Sequence, residues 1–167
     1  MDMKKRWLAV FVENQVGVLA KVSGLCSSKL YNIESITVGT TADPTISRMT
    51  FGFLSNDATF EQIKKQMNRC VEVIKVIDLT DIPTHMKELM FVKLKINSPT
   101  EKEEVISIAK IFRASIIDYD MERIILQSVN SEIGNGDLIR LLSKGFHDIE
   151  IVRGGVVSIE AMSISNG

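Results

Sequence analysis

The chain has 167 residues, 45% of them hydrophobic and 25% charged, with 20 basic against 21 acidic side chains. That is length for one ordinary domain or two small ones with a normal interior. The balanced charge gives no basic excess for a nucleic-acid backbone or an anionic membrane surface, and no apolar run approaches the roughly 20 residues of a membrane span.

The basic start "MDMKKR" leads into the apolar run "WLAVFV" (residues 7–12), which is too short for a signal-peptide core. A cytoplasmic location is therefore expected. The run is apolar on both faces, as in a central strand covered on two sides. "ENQVG" then turns directly into a helix, predicted over residues 18–29, with Val18, Leu19, Val22, Leu25 and Cys26 on one face. "NIESITVG" (32–39) alternates as a strand, and "TTADPT" (40–45) is a loop carrying Asp43 and Pro44. In "ISRMTFGFL" (46–54), Met49, Phe51 and Phe53 share one face, with Arg48, Thr50 and Gly52 on the other. A helix opening on Asn56 or Asp57 follows, with the stripe Phe60, Ile63 and Met67. The β-branched "VEVIKVIDL" (71–79) closes a β-α-β-β-α-β order, and Pro83 marks a linker.

The second half repeats this order. "ELMFVKLKI" (88–96) is a strand, and "SPTEKEEVISIAKIF" is a helix opening on Ser98 or Thr100 with acidic residues in its first turn. "SIIDYDMERIILQSV" is a hairpin turning at Asp120–Glu122. "GDLIRLLSKG" is a short helix ending at Gly145, with "GNGDL" as the loop and helix start before it. "IEIVRGGVVSIE" supplies the last strand or two. The fold class is α+β, two tandem ferredoxin-like (βαββαβ) domains, although the halves share pattern and not identity.

Candidate chemistry is sparse. Cys26 and Cys70 form no CxxC pair and read as small buried thiols, while His85 and His147 have no clustered ligands, so no metal site is expected. Neither G-x-G-x-x-G nor a P-loop is present, and no G-x-S-x-G elbow or paired acid and base stands out, so no catalytic residue is nominated. The strands lack the aromatic and basic surface of an RNA-binding sheet. The strand-to-helix junction remains. A helix N-terminus can hold a small carboxylate on its free N–H groups, Gly17 admits close approach, and Asn14 offers an amide that donates and accepts. With few cations nearby, a zwitterionic amino acid suits it better than a phosphate. The alternative is that Asn14 and Gly17 merely shape the turn.

"VENQVGVLAKVSGL", "YNIESITVG" and "DPTISRMT", in that order and spacing, resemble the regulatory small subunit of acetolactate synthase (acetohydroxyacid synthase). The likeness continues more sparsely through "ELMFVKLK", "IFRASIIDY" and "VRGGVV". The resemblance implies an ACT regulatory domain over residues 1–80, a linker at 81–87 and a C-terminal ferredoxin-like domain at 88–167. It implies a chain with no active site and no cofactor of its own. That chain would activate a catalytic large subunit carrying thiamine diphosphate, magnesium and FAD, and would make it sensitive to valine in branched-chain amino acid biosynthesis.

On the same resemblance the effector carboxylate meets the backbone at Gly17, Val18 and Leu19, with Asn14 beside it. Asn32 and Ile33 of a neighbouring ACT domain complete the site across an edge-to-edge homodimer. Val16 stands where many relatives have Pro, Cys26 where they tend to have Phe, and "SKL" (28–30) where they read Arg-Arg-Gly. Two rivals remain open: a stand-alone amino-acid-sensing ACT protein, and a small enzyme built on ferredoxin-like domains.

Overall fold

The computed structural model describes residues 2–27 and 31–162. The chain divides into two compact units, Met1–His85 with Val157–Gly167, and Met86–Val156. The first unit contains β1 (Lys4–Glu13), α1 (Val18–Ser27), β2 (Ile33–Thr40), β3 (Ile46–Ser55), α2 (Asp57–Arg69) and β4 (Val73–Asp78), with sheet order β2-β3-β1-β4. Antiparallel pairing joins β1 to β3 and β4, and β2 to β3. This is the expected ferredoxin-like order with β1 central and β2 at an edge.

Alternation decides which residues enter the core. Leu8, Val10 and Val12 of β1 and Met49, Phe51 and Phe53 of β3 meet Val18, Val22 and Cys26 of α1 and Phe60, Ile63 and Met67 of α2. On the helix-free face, rows run straight across the sheet because paired residues share a side. One row is Thr37–Thr50–Ala9–Ile77, and the next is Gly39–Arg48–Phe11–Lys75. A third holds Ser35, Gly52 and Trp7, where a Cβ on Gly52 would stand 2.8 Å from the Trp7 ring. Part of this face is covered at Ser158, whose Oγ lies 3.3 Å from Thr50 Oγ1, both residues being buried. The two-sided burial of β1 thus has its explanation within one unit and does not itself require a second copy.

The second unit holds β5 (Thr84–Lys95), α3 (Pro99–Phe112), β6 (Ser115–Tyr119), β7 (Arg123–Asn130), α4 (Glu132–Gly145) and β8 (Ile149–Glu160), with sheet order β6-β7-β5-β8. Met90, Val92, Leu94, Ile124 and Leu126 pack against Val105, Ile108 and Ala109 of α3 and Leu138 and Leu142 of α4.

Three boundaries differ from the sequence expectation. β5 begins at Thr84, so the stretch expected as linker is extended from the residue after Pro83, and the strand is shared between the two units. β8 is one strand and is also shared. α4 begins at Glu132, taking in the "GNG" expected as loop, because Ser131 caps it by accepting from Gly134 N–H at 3.0 Å. Asn135 in that first turn is fully buried, donating to Glu88 Oε2 (3.0 Å) and accepting from Ser128 (2.7 Å). Arg153 closes the cluster with two bonds to the Glu88 carboxylate, at 3.0 and 2.7 Å. The predicted end of α1 at Lys29, and the departures at Ser28 to Leu30, lie outside the described residues.

Candidate functional site

The turn between β1 and α1 is held from below by the loop after β2. Asp43 Oδ1 accepts from Thr45 N–H (2.9 Å) and Thr45 Oγ1 (2.6 Å), which fixes that loop and holds the Asp43 carboxyl below its ordinary range. Asn14 is tied to it at two points and to β3 at a third. Its N–H donates to Thr45 O (2.7 Å), its Nδ2 to Pro44 O (2.9 Å), and its Oδ1 accepts from Ser47 Oγ (3.0 Å). The amide keeps one N–H and one lone pair for anything outside. Asn14 is therefore first a brace for the turn.

Gly17 has φ +85°, the left-handed region, with nothing within 4 Å of a built Cβ. Backbone conformation and not crowding demands glycine here. Gly17 O accepts the first helical bond, from Lys21 N–H at 2.9 Å, which makes Gly17 the N-cap. A glycine cap has no side chain to turn back on the helix. Asn56, Ser98 and Ser131 each do so for α2, α3 and α4. Val18 N–H makes a long bond to Gln15 O, 3.3 Å. The N–H groups of Gly17, Leu19 and Ala20 find no acceptor among the described residues. Ala20, the third position of the helix, was missing from the sequence expectation. Counting the N–H groups a helix start leaves over would have found it.

The lysine in the first turn of α1 is committed elsewhere. Lys21 Nζ pairs with Glu72, whose pKa falls to about 2, chiefly through that hydrogen bond and then through one from Cys70 Sγ at 3.0 Å. What the turn offers a ligand is backbone donors and a helix dipole, with the side-chain charge already neutralised. Val18 is buried beneath it, while Val16 and Leu19 are exposed at its rim.

Asn32 and Ile33 stand at the far end of the sheet from these donors. Ile33 pairs with Phe53, which pairs with Arg6 near the start of β1, and Glu34 meets Lys5. Gly17 follows the end of β1, beside the end of β2, where Thr40 pairs with Ser47. At about 3.3 Å per residue the two sets are separated by on the order of 20 Å within one chain. A single chain does not bring them together.

Lining groups for catalysis are absent from this turn, and among the described residues no group of 3 or more His, Cys, Asp and Glu could hold a metal ion. Cys26 is buried, which pushes its thiol up to about 11. No helix in the described residues is long and apolar enough to cross a membrane.

Two tandem βαββαβ units, the first with backbone donors left over at its opening helix, define a protein of the ACT-domain class. Residues 8–75 match the family described as AHAS small subunit-like ACT domain, and residues 87–162 match the family described as small subunit of acetolactate synthase. The acetolactate synthase small subunit of Aquifex aeolicus is 36% identical over 95% of this chain and 82% of its own length. That of Buchnera aphidicola subsp. Schizaphis graminum is 34% identical over 93% of this chain and 98% of its own. The crystal structure of the acetolactate synthase small subunit from Thermotoga maritima superposes with a TM-score of 0.87 at 31% identity, covering 96% of this chain and 99% of that one. The chain belongs to the acetolactate synthase small subunit family.

Proposed function

We propose that this chain activates the catalytic large subunit of acetolactate synthase and makes it subject to feedback inhibition by valine. Its family supports the partnership. The single observation that carries the sensing role is the glycine-capped start of α1, with three N–H groups unpaired among the described residues and its nearby lysine neutralised. Those groups suit the carboxylate of a zwitterion better than a phosphate, and the helix dipole adds about 0.3–1 kcal/mol. Thiamine diphosphate, magnesium and FAD belong, on this reading, to the large subunit.

The topology supports a site shared by two copies. β2 is an edge strand that leaves Ile36 and Val38 36% and 45% exposed. Edges of this kind pair readily with another strand. Two β2 strands joined antiparallel would lay Asn32 and Ile33 of one copy beside the end of β2 in the other, and so beside its Gly17. Valine could then inhibit by favouring one arrangement of the pair, through its different affinity for the two states. A coupling of about 1–3 kcal/mol gives roughly 5–150-fold regulation.

The test is Gly17→Asp, assayed with the large subunit and by calorimetry with valine. We expect activation to persist and valine binding to be lost, because the new carboxylate repels the ligand's own and the left-handed φ is strained for any residue with a Cβ. Unchanged valine affinity would refute the site. Failure of the wild-type chain to associate with the large subunit would favour a stand-alone sensor.

A further inference from the structure

We propose that the row Arg48–Phe11–Lys75, on the helix-free face of the first sheet, is a docking point for a carboxylate on the catalytic large subunit. The proposal rests on the functional reading above and names where that partner is held.

Register places the three side chains abreast on β3, β1 and β4, with Gly39 completing the row on β2. The Arg48 guanidinium lies over the Phe11 ring, 5.4 Å from its centroid, which holds it against the sheet face. Arg48 is half-buried. Its Nε is wholly buried and has no hydrogen-bond partner among the described residues. Arg6 Nε is enclosed in the same way, so it is the missing counter-ion and not the buried Nε that sets Arg48 apart.

The contrast with the chain's other enclosed cations is chemical. Arg6 meets Asp57, Lys64 meets Asp78 and Arg153 meets Glu88. Arg48 and Lys75 have no ion-pair partner among the described residues, although Glu13 stands one step along the same sheet face. Two cations without a counter-ion, one held on an aromatic ring, select an anion. The Nη groups of Arg48, which are not enclosed as its Nε is, can receive both oxygens of a carboxylate. Nothing within 4 Å of a Cβ built on Gly39 leaves room to approach from the β2 side. A surface carboxylate of a protein partner meets these terms, with Lys75 at the rim steering its approach.

The test titrates the purified large subunit with the wild-type chain, Arg48→Met and Lys75→Met, reading the concentration for half-maximal activation. Calorimetry with valine and sedimentation are run on each chain alone. We expect Arg48→Met to raise the half-activating concentration roughly 30-fold or more, and Lys75→Met to raise it less and in a salt-dependent way. Valine binding and self-association should be unchanged in both.

Normal activation by Arg48→Met would overturn the proposal and leave the functional reading standing. A wild-type chain that does not bind the large subunit would overturn that reading and the proposal with it. Normal activation with altered valine binding or self-association would assign the row to the effector or to a second copy, and likewise overturn it. Should Arg48→Met fail to fold, arginine-selective dicarbonyl labelling of the wild-type chain decides the matter by mass spectrometry. Labelling of Arg48 in the free chain and protection in the complex is expected; equal labelling in both would contradict the proposal.

Discussion

Gly17 is the residue on which the turn between β1 and α1 depends. Its φ of +85° is one that costs an L-residue roughly 1–2 kcal/mol. Gly17→Ala should therefore lower stability by about that amount while adding no charge, and Gly17→Asp should add electrostatic exclusion of the ligand on top. Comparing the two by urea unfolding and valine calorimetry separates strain from repulsion. Glu72 gives a pH signature at the same turn. Its folded pKa lies near 2, below the ordinary 4.5, so its tie to Lys21 stabilises the fold above pH 4.5 and is lost as pH falls toward 2. Glu72→Gln should flatten that acid limb, read by far-UV circular dichroism. Cys26, with its thiol near 11 and its side chain enclosed, should resist alkylation at pH 8 until the protein is unfolded.

At the scale of elements, caps and buried polar bonds account for what periodicity left out. α2 and its stripe Phe60, Ile63 and Met67 could be read directly from spacing, as could the alternation of β3. Removing the α2 cap by Asn56→Ala should cost about 1 kcal/mol in urea unfolding. The start of α4 was not legible, because glycine and asparagine in "GNG" carry loop propensity and their helical placement depends on tertiary bonds from Asn135 to Glu88 and Ser128. Arg153→Met strands the buried Glu88 carboxylate. We expect a loss of about 2–3 kcal/mol, reduced from the fully buried case because Arg153 is partly exposed.

For the whole molecule, the tandem architecture could be read from the order of periods, whereas the sharing of β5 and β8 between units could not, because pattern does not reveal which surface a strand's second half covers. Ser158 against Thr50 places the last residues of β8 on the first unit. A chain truncated at Pro83 should accordingly expose the Trp7 face, with a red-shifted emission from that single tryptophan and a lower melting temperature than the full chain. The separation of Asn32 from Gly17 was equally hidden, since only the parallel run of β1 and β2 sets them at opposite ends. That separation makes the paired assembly a physical requirement if both sets contact one ligand.

The decisive observation is a valine titration of the isotopically labelled chain followed by amide NMR. We expect saturable shifts at Gly17, Val18, Leu19 and Ala20 together with Asn32 and Ile33. Shifts confined to residues 86–156, or none at ligand excess, would mean that these backbone groups do not hold the amino acid.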